Sequence, residues 1–142
     1  MVSWWRETGS NETRHHSAAT TAFRVLSGLM LPTVATQFFL AGAGVFARQA
    51  GDSGQIWLNV HASLGFCIAA LALLLAISVV ACRVGKPVLP MTVTLVALTG
   101  IAEPVLAIFG ADDNALFGGA HALVGAAVAV LSGMIFVRGR GR

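Results

Sequence analysis

Four apolar runs divide the chain: Val25–Ala47, Ile56–Ala81, Met91–Ala111 and Leu116–Val137. None carries Lys or Arg in its interior. Each is long enough to cross a hydrocarbon core of about 30 Å, which takes roughly 20 helical residues. The runs lack the alternation of a half-buried strand and are rich in Ala, Leu and Gly, so helices are predicted. In lipid only helices and closed barrels satisfy the backbone, and a barrel needs at least eight strands. The links are short: Arg48 to Gln55, Arg83 to Pro87, and Asp112-Asp113-Asn114. Short links force antiparallel neighbours, which predicts an all-α, integral membrane, up-down four-helix bundle. The domain reading is a polar leader at 1–22, a transmembrane domain at 23–137 and a basic tail at 138–142.

Composition supports this. The 142 residues are 56% hydrophobic and 11% charged, against about 25% charged in ordinary soluble domains. That excludes a water-soluble globule, and disorder with it. The net charge of +3 is spread asymmetrically. Arg6, Arg14, Arg24, Arg83, Lys86, Arg138, Arg140 and Arg142 fall on one predicted side and Arg48 on the other. The positive-inside rule then places both termini in the cytoplasm of a bacterial inner membrane. On this reading the tail meets anionic lipid, not nucleic acid. An alternative for the first run is a signal peptide ending near Leu40-Ala41-Gly42-Ala43. Its apolar run is too long for that and its polar leader unusual. Cys67 and Cys82, about 22 Å apart along one predicted helix, cannot pair. Trp57 suits the outer interface.

The chain repeats itself. His61-Ala62-Ser63-Leu64-Gly65 matches His121-Ala122-Leu123-Val124-Gly125, and Gln37-Phe38-Phe39-Leu40-Ala41 matches Glu103-Pro104-Val105-Leu106-Ala107. Gly44 and Gly110 follow their polar residues at the same interval. Two duplicated helix hairpins in one orientation are expected.

The repeat carries the candidate chemistry. His61 and His121 fall at one depth, about 7 Å below the outer surface, on the second and fourth helices, which are diagonal in an up-down bundle. Gly65 and Gly125 lie one turn further on the same faces and would leave a slot for a flat cofactor or for close packing. Two facing histidines are the ligand set of a six-coordinate b-type haem, making them candidate metal ligands. Arg48 would be the one basic residue able to meet its propionates. The competing reading makes each histidine an interhelical hydrogen-bonding group. Gln37 and Glu103 count to near the midplane, where an ionised carboxylate costs several kcal/mol. As the neutral acid, Glu103 would donate to Gln37 or to the Gly100 carbonyl, which Pro104 deprives of its helical donor. Either a proton relay or a register-fixing bond would result.

Taken together, Gln37-Phe38-Phe39-Leu40-Ala41-Gly42-x-Gly44-x-Phe46, Trp57-x-x-x-His61-x-x-x-Gly65 and His121-Ala122-Leu123 resemble a family of small bacterial four-helix membrane proteins of unknown function. The likeness covers Phe23 to Val137. A remoter likeness is to each half of haem A synthase, in which histidines on the second and fourth helices bind haem toward the outer face. That resemblance implies haem ligation by His61 and His121. The acidic residue before the histidine in those enzymes is absent, with Trp57 and Leu58 in its place, so it does not imply their catalysis. Two functions are carried forward. One is a haem-binding redox module. The other is a cofactor-free membrane subunit or small permeation element, whose partners would be the bilayer and other membrane proteins or copies of itself. The sequence assigns no reaction.

Overall fold

The computed structural model describes residues 5–82, 87–110 and 115–140, with residues 5–17 described by their backbone alone. The centres of the two links at 83–86 and 111–114, with Asp112 and Asp113, lie outside the described residues. The described residues are helical, with no strand. Helix α1 spans Trp5–Gln49, α2 Gln55–Ala81, α3 Val88–Ala97, α4 Glu103–Gly110 and α5 Ala115–Arg140. A π-turn, Leu98–Ala102, joins α3 to α4, so these three pieces form one continuous rod. The four rods are each long and apolar enough to cross a membrane.

The first helix is longer than the apolar run that predicts it. It includes most of the polar leader and passes through Pro32. Proline removes the donor that the Gly28 carbonyl would take, and two nearby threonines back-bond to other carbonyls of the helix. Thr33 Oγ1 donates to the Leu29 carbonyl at 2.8 Å, and Thr36 Oγ1 to that of Pro32 at 2.9 Å.

Each rod touches its two chain-order neighbours, and α5 closes the ring against α1. Thus α2 and α5 lie diagonally, as do α1 and the α3–α4 rod. The links α1–α2 and α2–α3 are too short for any other order.

The core has a definite place. Phe23, Met30 and Val34 on α1 meet Ile68, Ala72, Leu75 and Val79 on α2, Val88 and Leu95 on α3, and Val128 and Ile135 on α5. All lie on one side of the level of Gln37, His61, Glu103 and His121, toward the end where α1 enters and α5 leaves. Buried Ser27, Ser78, Thr92, Thr99 and Ser132 join them, each spending its hydroxyl on a carbonyl three or four residues back. Those bonds let polar side chains sit in an apolar core without an orphaned donor. On the other side of that level, α4 has no buried residue.

Candidate functional site

A tight connection sets the level of the site. The chain leaves α1 at Gln49, turns through Gly51 at φ 87° and Gly54 at φ 62°, and starts α2 alongside Gly44. A Cβ on Gly54 would lie 2.6 Å from the Gly44 carbonyl oxygen, and a Cβ on Gly44 2.8 Å from Leu58 Cδ2. The helices therefore meet backbone to backbone at these glycines. Gln37 is seven residues before Gly44, and His61 seven after Gly54. In antiparallel helices that brings them side by side.

The contacts follow. Nδ1 of His61 is 3.1 Å from the Gln37 carbonyl oxygen. A carbonyl only accepts, so the proton sits on Nδ1 and Nε2 is the acceptor. The Gln37 amide nitrogen donates to the His61 carbonyl at 2.9 Å and lies 3.3 Å from His61 Nε2. Its amide oxygen is buried without a hydrogen-bond partner.

In the second hairpin the histidine meets a side-chain carboxylate instead of a backbone carbonyl. Nδ1 of His121 lies 2.5 Å from Glu103 Oε2, an approach too bent for a straight N–H···O bond. Gly110 packs against the backbone of Gly118, the position equivalent to Leu58. The π-turn helps to aim Glu103. Its own N–H bonds to the Leu98 carbonyl, five residues back. Widening that turn fits the missing N–H of Pro104 and its clash with the Gly100 carbonyl.

The two histidines meet across the diagonal, with ring centroids 5.9 Å apart and planes inclined by 66°. Both Nδ1 atoms are engaged by a neighbouring rod: His61 by α1, His121 by α4. Nε2 is left over on His121, whereas Nε2 of His61 lies 3.3 Å from the Gln37 amide nitrogen and would have to exchange that contact for a metal.

Several expectations change. Gln37 and Glu103 are not paired with each other, nor is the carboxylate on the Gly100 carbonyl; each polar residue holds the histidine of its own hairpin. They also share the histidines' level, because Gly54 returns the chain to Gly44 instead of to the end of α1. No open slot stands over the two glycines. A Cβ on Gly65 would meet Gln37 Nε2 at 3.3 Å, and one on Gly125 would meet Glu103 Oε1 at 3.4 Å and Phe38 Cζ at 3.5 Å. The glycines admit these side chains. Arg48 is not brought to the histidines. It is exposed in the last turn of α1, about 16 Å along the helix from Gln37.

Phe38 belongs to the repeated motif, but nothing in the sequence singles it out from Phe39 as the ring that reaches Gly125. The π-turn had one signal, the Gly100 carbonyl left without its donor. Both cysteines are free, and Trp57 stands edge-on to Phe39 at 6.3 Å.

Glu103→Gln keeps a polar group on His121 and should leave the unfolding temperature within a few degrees of the parent. Glu103→Leu strips Nδ1 of that neighbour and should cost about 1 kcal/mol. Thermal unfolding of the detergent-solubilised chain measures both. A Leu variant as stable as the Gln variant would mean that the contact carries no stability.

No protein-family model, curated protein or solved structure matches this chain.

Proposed function

We propose that this chain is a polytopic inner-membrane redox module, built of two duplicated hairpins, in which His61 and His121 would hold one b-type haem. The observation that carries this is the adjacent pair of imidazoles, which meet edge-on with centroids 5.9 Å apart, each with Nδ1 against a group of a neighbouring rod. Two nitrogens about 2 Å from one metal ion place their ring centres about 6 Å apart. Anchoring Nδ1 on a carbonyl or a carboxylate is how proteins orient a histidine ligand. Among the described residues no group of three or more His, Cys, Asp or Glu side chains could hold a bare ion. A macrocycle that brings its own equatorial nitrogens needs only this pair.

When bound, haem supplies one-electron exchange. The chain's own residues hold the two rings: Gln37 fixes the proton of His61 on Nδ1, and Glu103 fixes the ring of His121. One such centre on one side of the packed core would not carry electrons across the membrane alone. The duplication is supported by equivalent contacts in both hairpins: Gln37 on His61 and Glu103 on His121, Gly44 on Leu58 and Gly110 on Gly118.

A second reading is a cofactor-free membrane subunit or permeation element. It is favoured by the side chains of Gln37 and Glu103 over Gly65 and Gly125, which a porphyrin edge would have to displace. Purification from haem-replete cells separates the two. A red protein with a Soret band supports the redox module; a colourless one overturns it.

The basic residues orient the bundle with both termini in the cytoplasm. A reporter fused at Arg142 should be active only when it needs the cytoplasm. An active alkaline phosphatase at that position would reverse the orientation.

A further inference from the structure

Two shallow apolar grooves run into each other along α5, on the side facing α3. They share Val130 and Met134. One starts beside Leu98 and Ala126, and the other ends at Arg138. Ala126, Ala127 and Gly133 leave the space between larger lining side chains such as Leu98, Val130 and Met134. A Cβ on Gly133 would meet nothing within 4 Å.

Its length and its ending are informative. Ala126 to Arg138 is about 18 Å of helix, close to the roughly 15 Å of hydrocarbon in one leaflet. At the far end the Arg138 guanidinium reaches across to α3, with Nη1 on Met91 Sδ at 3.0 Å. A thioether is a weak acceptor for a group with five donors. Arg140 and Phe136 do not line the groove; the Arg140 guanidinium lies 4.1 Å from the centre of the Phe136 ring. An apolar trough as long as an acyl chain thus ends in a cation able to bind phosphate in bidentate fashion.

We propose that this groove binds one phospholipid with an anionic headgroup, its acyl chain lying along α5 and its phosphate on Arg138. The proposal rests on the chain being in a membrane and is independent of the haem. Positive charge at the end of the groove selects an anionic headgroup over a zwitterionic one, by about 1 kcal/mol for each basic residue near the surface.

The test is native mass spectrometry of the purified full chain titrated with phosphatidylglycerol or with phosphatidylcholine. Phosphatidylglycerol should bind as one retained adduct, about fivefold more tightly than phosphatidylcholine. Arg138→Gln should remove that preference, and Arg138→Lys should restore most of it. Gly133→Leu fills the groove from a position with open space around it, so it should fold like the parent and lose the adduct with either lipid. Equal retention of both lipids by the parent would overturn the proposal. So would a Gly133→Leu variant that binds as the parent does. A dimer cross-linked through Val130 and Met134 would assign the groove to a second copy and overturn it too. Recovery of the chain in the soluble fraction of lysed cells would instead defeat the membrane reading beneath it.

Discussion

Replacing either His61 or His121 by alanine should reduce the Soret absorbance to background, with the two variants indistinguishable. Each removes one axial ligand of the same iron, so neither loss is partial. Gln37→Ala and Glu103→Ala should behave differently. Both leave the two ligands in place. Glu103→Ala removes the carboxylate on His121 Nδ1, whereas Gln37→Ala removes only the amide that ties α1 to the His61 carbonyl and keeps the backbone carbonyl on His61 Nδ1. Loss of such supporting contacts costs about 10- to 100-fold in affinity, the larger part at Glu103. Those variants should bind haem when it is in excess and lose it on dilution. Absorbance spectra of detergent-purified protein, with elution profiles to show that each variant is folded, make the comparison. A histidine variant that keeps the parent spectrum would rule out the pair as ligands. In the cofactor-free reading the parent has no such spectrum, and each histidine variant loses only an interhelical contact of about 0.6 kcal/mol.

The largest effect on stability is expected at Gly54. Alanine there must adopt φ 62°, a left-handed conformation that costs about 1–2 kcal/mol for a residue with a side chain. Its Cβ would also lie 2.6 Å from the Gly44 carbonyl oxygen, a backbone atom unable to rotate away. Gly54→Ala should therefore destabilise the chain by about 3 kcal/mol. Gly51 supplies the control. It too has positive φ, but nothing lies near a Cβ there, so Gly51→Ala should cost only the conformational part, about 1 kcal/mol. Unfolding in detergent, followed by circular dichroism, measures both. Equal losses would mean that the close approach at Gly44 adds nothing. The Gly54 variant should also weaken the His61 contacts, because it shifts α2 along α1.

The four rods and their order are legible in the sequence because lipid-length apolar runs and short links leave few alternatives. The meeting of His61 and His121 is legible for a related reason: both stand five residues into their runs, on helices that must be diagonal. The partner of each histidine is not. Depth was counted from the ends of the apolar runs, and α1 overshoots that end before the chain doubles back to Gly54. Counting from Gly44 and Gly54 gives the right pairing, but that contact depends on a turn with two positive φ values. The four-residue spacing from each histidine puts Gly65 and Gly125 on the histidine faces, yet a glycine in a sequence marks room without saying what fills it. The π-turn was half visible, since Pro104 announces a missing bond but not how the helix accommodates it.

The one-sided core has a mechanical consequence. Four rods gripped along one stretch, and joined beyond it within each hairpin at Gly44–Gly54 and Gly110–Gly118, form a clamp whose two jaws are the hairpin ends. Small rotations about the tight stretch, around Ala72 and Leu95, are magnified where the imidazoles sit. Spreading there breaks few apolar contacts, since α4 buries none of its residues. The spacing between the two rings can therefore change while the gripped stretch holds the fold together.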